Sequence, residues 1–437
     1  MAGRSLFKRS NFKKAYYYCK KNGVLPAFYA ALERLQSNNM CYEKRILTQA
    51  ELEAQRGAVW EKPEHFSILV PAYETDRAHL REMVDSVLAQ TYPQFELIVA
   101  DASVSDKVET EMQYYKDSRI RYIRLPENKG ISENTNAALA AAGGSYIALL
   151  DHDDILEADA LYRMMEAIDS YRRETGEAAQ MLYSDEDKCS GDLAVYYEPH
   201  WKEKFNLDLI ISNNYICHFL VMKAELMREL KFRAEYDGAQ DHDLVLRAAA
   251  RLMDTNNTQS ILHVPYVLYH WRCHTGSTAE NPQSKMYAYE AGRRAAEDFC
   301  RSRGWRAAVT HTRHLGFFRV EYKGSVLEQR ADLAAVCGRI VRRGRIAGGA
   351  YAQDGSILYE GLNAHFSGYM HKAVLQQDVY AADVRKMRVR RELRPLFQGI
   401  LKEAANEREA SLRFGEEAAR LGYRILWDPV RFRAERT

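Results

Sequence analysis

The stretch Tyr146-Ile147-Ala148-Leu149-Leu150-Asp151-His152-Asp153-Asp154 constrains this chain more than any other. A short apolar run bounded by turn signals reads as a buried strand. It stops at three carboxylates within four residues. Like charges so close repel one another unless a cation neutralises them. Hard oxygen donors suit Mn2+ or Mg2+, ions that bridge a few carboxylates to a phosphorylated ligand. The plain alternative is a polar strand-to-helix turn with Asp154 as its N-cap.

The flanking pattern supports the strand. Ser67–Pro71 reads as a strand followed by a helix over residues 78–90, with Leu80, Met83, Val84 and Val87 facing inward. Phe95–Ala100 is a second strand ending at Asp101, and Ile120–Leu125 a third. Ser132 reads as the cap of a helix to about Ala142, Tyr146–Leu150 is the fourth strand, and a helix follows over 157–172. Strands alternating with helices predict βαβ units, and right-handed crossovers put the strand C-termini on one edge. Pro71, Asp101 and Asp151 fall on that edge, where open α/β sheets bind ligands.

After residue 180 the order turns mixed. Strands are expected at Met181–Ser184, Cys217–Met222, Ile261–Val264 and Val267–Arg272, with helices over Asp243–Leu252 and 285–303. The acidic run Asp185-Glu186-Asp187-Lys188 reads as a solvated loop, or as an acceptor approach. Beyond residue 306 come strand-like Gly316–Tyr322 and Ala334–Val341, a basic cluster (Arg385, Lys386, Arg388, Arg390, Arg391, Arg394), a helix over about 396–421 and a last strand, Gly422–Leu426. Ahead of the sheet, Leu25, Phe28, Tyr29, Leu32 and Leu35 give a helix over 25–36, and Lys44 to about Arg56 a second. The division expected is a basic helical extension (1–62), an α/β catalytic domain (63–305) and a C-terminal α/β region (306–437).

A net charge of +2 is too balanced to argue for nucleic acid. Residues 1–32 nevertheless hold seven Lys/Arg and no acid, a bias that suits an anionic membrane surface or a solvated helix face. Seven scattered cysteines without a CxxC pair fit reduced thiols. No signal-peptide core stands out, and no run reaches the ~18 apolar residues of a spanning helix. The expected location is the cytoplasm, peripheral to the inner face of the plasma membrane. A homodimer is left open.

Three further clusters carry chemistry. Asp101 can accept from a nucleobase imide or a ribose hydroxyl, or can simply form a turn, while Pro71, Tyr73 and Glu74 end the first strand and can line a base pocket. Gln240-Asp241-His242-Asp243 precedes a helix; Asp241 is the candidate general base for an attacking hydroxyl, with helix capping assigned to one of the two acids. Tyr269-His270-Trp271-Arg272-Cys273-His274-Thr275-Gly276-Ser277 gathers donors that suit a loop over a diphosphate. Arg272 can pair with phosphate oxygens, His274 can donate to phosphate or join the cation, Ser277 can hydrogen-bond a phosphate, and His270 is expected to be structural.

In this order the motifs Val70-Pro71-Ala72-Tyr73, Asp101, Asn128-Lys129-Gly130, Asp151-His152-Asp153-Asp154, Gln240-Asp241 and Arg272–His274–Ser277 make residues 65–305 resemble family 2 glycosyltransferases of the GT-A fold. Tyr183–Lys188 and Tyr269–Arg272 are similar to the branch that builds bacterial surface polysaccharides, including rhamnan-type enzymes. The resemblance implies an inverting, metal-dependent transfer from a UDP- or dTDP-linked sugar to a glycan or lipid-linked acceptor. It implies Asp101, Pro71, Tyr73, Glu74, Lys129 and Asp151 as donor contacts, Asp153 with Asp151 and His274 as metal ligands, Asp241 as base, and Arg272 and Ser277 at the diphosphate. One departure bears on donor identity: Asn134-Thr135 stands where many relatives have Ala-Arg after the Asn-x-Gly turn. Two rival readings fit the sequence less well. A non-catalytic sugar-nucleotide or polysaccharide scaffold would not need the intact acidic and basic cluster. A nucleotidyltransferase needs a Gly-rich loop after the first strand, where this chain has Pro71-Ala72-Tyr73-Glu74-Thr75. Val336–Gly348 and Leu421–Pro429 resemble the late part of a second such domain whose acidic pair is replaced by Ser411 and Arg413. An inactive lobe or an unrelated basic extension is expected there.

Overall fold

The computed structural model describes residues 16, 18–37, 42–273 and 286–430. It divides into two compact units. The first spans Tyr42–Asn206 and Asn213–Phe299; the second gathers the described parts of Met1–Cys41, Leu207–Ser212 and Cys300–Thr437. The expected extension over 1–62 is therefore not one block, since residues from Tyr42 onward group with the sheet. The helix Val24–Ser37 follows its amphipathic spacing. The next helix is shorter than expected, Gln49–Arg56, because Thr48 and Glu51 form a reciprocal capping box that sets its start.

The first unit is built on one mixed sheet. Its strands are β1 (Phe66–Ala72), β2 (Phe95–Asp101), β3 (Ile120–Arg124), β4 (Tyr146–Leu149), β5 (Ile155–Leu156), β6 (Met181–Ser190), β7 (Tyr196–His200), β8 (Leu220–Lys223) and β9 (Ile261–Cys273). Their order is β3-β2-β1-β4-β8-β6-β9-β5, with β7 on β6. The first four are parallel, as their near-continuous apolar runs require of strands covered on both faces. Strand β8 then runs antiparallel to β4. Phe66, Ile68, Val70, Leu97, Val99 and Ala148 pack with Leu80, Val84, Leu161 and Met165 of the covering helices in one core.

Four local readings change. Ser132 does not cap its helix; Gly130 does, at φ 93°, where an added Cβ would clash with the Asp237 carboxylate. The strand expected at Cys217–Met222 is Leu220–Lys223. The two strands expected at 261–264 and 267–272 are one, bulged against β6. Asp185–Lys188 is no loop but the middle of β6, with Asp185 and Asp187 at most 3% exposed.

In the second unit, Leu333–Cys337 pairs parallel with Arg424–Trp427 and antiparallel with Met387–Val389, over a core of Phe414, Ile425 and Trp427. The single expected helix is two, Arg394–Glu403 and Glu407–Arg420, broken at Ala404–Asn406 where Asn406 caps the second. Two charges of the sequence's basic cluster are spent internally. Arg385 pairs with buried Asp383, and Arg390 donates to the carbonyls of Leu327 and Leu333. Ser411 is buried and bonds Val384 and Glu407.

Candidate active site

The site forms where the parallel half of the sheet meets the antiparallel half. Strand β4 ends at Leu149, and the chain turns through Asp151 and Asp153 before β5. The register of β4 and β8 ends at Ala148 opposite Val221, and three residues further it brings Asp151 opposite His218. The His218 Nε2 lies 3.8 Å from the Asp151 carboxylate. Its ring stacks on Tyr269 with centroids 4.7 Å apart, and its Nδ1 meets Glu186 at 3.1 Å. Lys202 backs Glu186 from within, donating to the Ile216 carbonyl at 2.9 Å.

The three acids of the sequence motif have different fates. Asp154 is buried; it accepts from the Tyr269 hydroxyl at 2.5 Å and from the Arg272 amide at 2.7 Å. It is not an N-cap but a strut between the acidic turn and β9. Asp151 is half-exposed and Asp153 partly so. Burial and the charges of Asp151 and Asp153 hold Asp154 well above the usual carboxylate range.

Asp241 lies in the first turn of the helix Gln240–Asp254 and shares this field. Burial, then the charge of Asp151, push it up to about 6, offset in part by His218 and Gln240. Neither acid of the pair caps the helix; Asp243 is buried and bridges Arg233 and Arg247 instead. For His218, burial opposes the charge, but the Glu186 hydrogen bond and the charges of Glu186, Asp151 and Asp154 outweigh it and push the imidazole up to about 9. Sequence reading missed His218; it held Glu186 only within a run read as a solvated loop or an acceptor approach, and Tyr269 only as a neighbour of Arg272. Only the antiparallel register aligns His218 with Asp151, and that pairing joins residues far apart in the chain.

The expected donor residues divide. Pro71 and Tyr73 reach the edge, Tyr73 with 47% exposure. Glu74 adopts φ 48° and accepts from the Val104 and Ser105 amides at 2.9 and 2.8 Å, tying the β1 end to the β2 loop. Asp101 is fully buried and accepts from the Ser103 amide, the Tyr122 hydroxyl and Arg124, each at 2.8 Å. It is held as a wall of the pocket, and a nucleobase would have to share its oxygens with those donors. Lys129 is exposed and pairs with Glu127 at 3.0 Å. Asn134, the departure from the family pattern, donates to Asn128 at 2.9 Å and so fastens the Asn-x-Gly turn.

Arg272 is placed differently from the expected open phosphate clamp. Its side chain is fully buried, donating to the Asp153 carbonyl at 2.6 Å, Glu82 at 2.5 Å and the Gly191 carbonyl at 2.9 Å. One nitrogen, Nη2, is buried without a partner among the described residues. His270 is structural as expected, between Asp187 at 2.6 Å and Glu157 at 3.2 Å. His274 and Ser277 lie outside the described residues. Among those described, no three His, Cys, Asp or Glu side chains form a metal cage. The donor set at Asp151 and Asp153 is all oxygen. It suits a cation that takes its remaining ligands from a phosphorylated substrate and water.

Residues 67–230 match the family described as Glycosyl transferase family 2. An uncharacterized protein, y4gI of Sinorhizobium fredii, is 41% identical over 236 residues, covering 53% of this chain and 25% of that protein. The O-antigen biosynthesis protein RfbC of Myxococcus xanthus is 30% identical over 263 residues, 59% of this chain and 19% of that protein. The Escherichia coli UDP-Glc:alpha-D-GlcNAc-diphosphoundecaprenol beta-1,3-glucosyltransferase WfgD is 38% identical over 95 residues, 22% of this chain and 37% of that protein. The matches thus span well under half the length of each of these relatives.

Proposed function

We propose that this chain, whose residues 67–230 match the Glycosyl transferase family 2 model, moves a sugar from a UDP- or dTDP-linked donor to a hydroxyl of a bacterial surface glycan, with inversion at the anomeric carbon. The observation that supports this most is the acidic sheet edge: burial, then the charge of Asp151, holds both Asp154 and Asp241 above the usual carboxylate range, so the three carboxylates share one field.

The residues divide the chemistry. Pro71, Tyr73 and Glu74 line the nucleoside side, with Asp101 as the wall beneath. Asp151 and Asp153 would hold Mn2+ or Mg2+ together with the donor diphosphate, His274 completing the set. Bound there, the cation supplies charge neutralisation for the departing diphosphate. The unpaired Nη2 of Arg272 is one further donor for that anion, and Ser277 a second. Asp241 takes the acceptor proton as the hydroxyl attacks. A base held at about 6 is ionised at neutral pH yet still basic enough to accept a proton in the transition state. His218, fixed by Glu186 and Tyr269, lies against Asp151 and stabilises the ionised acids around it.

The O-antigen and diphosphoundecaprenol names of two relatives, and the basic start of the chain, support a lipid-linked acceptor at a membrane surface. No described helix is long and apolar enough to cross a membrane. The test is release of UDP or dTDP from a panel of nucleotide sugars with Mn2+ and with chelator. Turnover with one donor and its loss on chelation are expected; a wholly inert panel, with nucleotide binding indifferent to Mn2+, would favour a sugar-nucleotide scaffold.

A further inference from the structure

Within the second unit, the loop between the strands Ala307–His311 and Phe318–Tyr322 meets the segment Tyr369–Val374. There His314 and His371 stack face to face, ring centroids 3.7 Å apart and planes 17° apart. Phe317 stands edge-on to His371 at 4.8 Å, and the Tyr18 ring lies 6.1 Å from His314.

Three cations join this pair. Arg313 bonds the Tyr18 hydroxyl, and its carbonyl accepts from Asn22 at 3.4 Å. Arg339, half-buried, donates to the Ala364 carbonyl at 2.9 Å and joins the cluster through Arg313, near enough for the two charges to oppose each other. Lys21 is near enough for its charge to act on His314. No carboxylate pairs with any of the three among the described residues. The neighbouring acid, Glu33, is already taken: it accepts from the Ser367 amide and hydroxyl, both at 3.0 Å, and from the Gly368 amide at 2.6 Å. Ser367 gives its proton to Glu33, so its oxygen accepts from His371 Nδ1 at 2.9 Å. His314 is nine-tenths buried, and its Nε2 has no partner among the described residues.

An unpaired buried ring nitrogen beside three unpaired cations is costly unless an anion joins it. We propose that Lys21, Arg313, Arg339, His314 and His371 form a binding site for a phosphate-type dianion. Guanidinium forks suit phosphate oxygens, and stacked imidazoles offer further donors once protonated. The local electrostatics agree. Burial, then the charges of His371, Arg313 and Lys21, push His314 down to about 3; burial, then Arg313, push His371 down to about 4. A dianion would reverse those charges' effect and draw protons onto the rings. The site stands independently of the sugar-transfer reading, so a chain with Asp241→Asn should retain it.

The source of the dianion is either free phosphate or a lipid phosphate headgroup, and two arms separate them. In the first, the full chain with labelled histidines is titrated with inorganic phosphate and pyrophosphate. His314 and His371 resonances should move, and Arg313→Gln or Arg339→Gln should each weaken binding about tenfold or more. Arg313 is exposed, so its variant tests binding without threatening the fold. In the second arm, the chain is floated on phosphatidylcholine vesicles with and without phosphatidic acid. Capture by phosphatidic acid that phosphate displaces and Arg313→Gln abolishes assigns a lipid source. Phosphate binding without capture assigns the free ion. Unmoved imidazole signals at millimolar phosphate, or an affinity in both Gln variants equal to that of the parent chain, would overturn the proposal.

Discussion

The two units collect charge of opposite sign. In the first, Asp151, Asp153, Asp154 and Asp241 gather where a parallel strand end faces an antiparallel one; burial, then the charge of Asp151, raises both Asp154 and Asp241. In the second, Lys21, Arg313 and two stacked histidines gather, and burial, then the neighbouring positive charges, lowers both imidazoles. Each cluster opposes its own ionisation. A fold tolerates such opposition where a ligand of the other sign relieves it, which makes the pair a contrast between a cation-seeking and an anion-seeking site.

The largest effect should come from the base. Asp241→Asn is expected to cut transfer by about 10³-fold while leaving nucleotide binding within a small factor, read by steady-state kinetics and calorimetry. The same change should stabilise the protein at pH 8. Folded Asp241 keeps its proton to about 6, whereas an unfolded Asp ionises near its ordinary ~3.9. Folding therefore takes up a proton between those values, and this group's contribution is full below the lower value and lost as pH rises through the upper. Removing the charge should recover on the order of 2 kcal/mol above pH 7 and nothing near pH 3. Thermal melts at the two pH values check this; equal shifts at both would show that the acid is not held up by its surroundings.

Next in size, Asp153→Asn should lower kcat/KM about 10²-fold and remove the response to Mn2+. A variant as responsive to Mn2+ as the parent would place the cation elsewhere. His218→Gln should follow at about tenfold in kcat, since it withdraws positive charge from beside Asp151 without opening the donor pocket. If KM alone rises, His218 touches donor or acceptor rather than shaping the field. Arg272→Met should act first on folding, costing about 2–4 kcal/mol by denaturant titration, because Glu82 and two carbonyls lose their donor. The smallest effect on sugar transfer should be that of Arg313→Gln, assayed with a soluble acceptor: rates within a factor of about two, since the residue lies in the other unit.

Much of the first unit was legible in the sequence. The apolar runs at Phe66, Phe95 and Tyr146 announce strands buried on both faces, and their polar ends fall on one edge because parallel crossovers leave no other choice. What could not be read was pairing between distant segments. His218 meets Asp151 only through the β4–β8 register, and Asp185–Lys188 look like a solvated loop until His263, Lys202, His270 and Tyr42 are placed around them. Arg272 misled for a related reason. Its chemistry fits a phosphate, yet its site beside Glu82 and the Asp153 carbonyl makes most of its donors internal. The second unit was harder still. Of the conspicuous run Arg385–Arg394, Arg385 and Arg390 brace the fold, while the cationic site is assembled from Lys21, Arg313, Arg339 and two histidines scattered over the chain.

One measurement bears most directly on the sugar-transfer account: the pH dependence of kcat for nucleotide release in the presence of acceptor, for the parent chain and for Asp241→Asn. The parent should lose activity on an acid limb with a midpoint near 6, and Asp241→Asn should show only a residual rate without that limb. An Asp241→Asn chain that keeps both the rate and the limb would remove Asp241 from the reaction and, with it, the arrangement of acids proposed here.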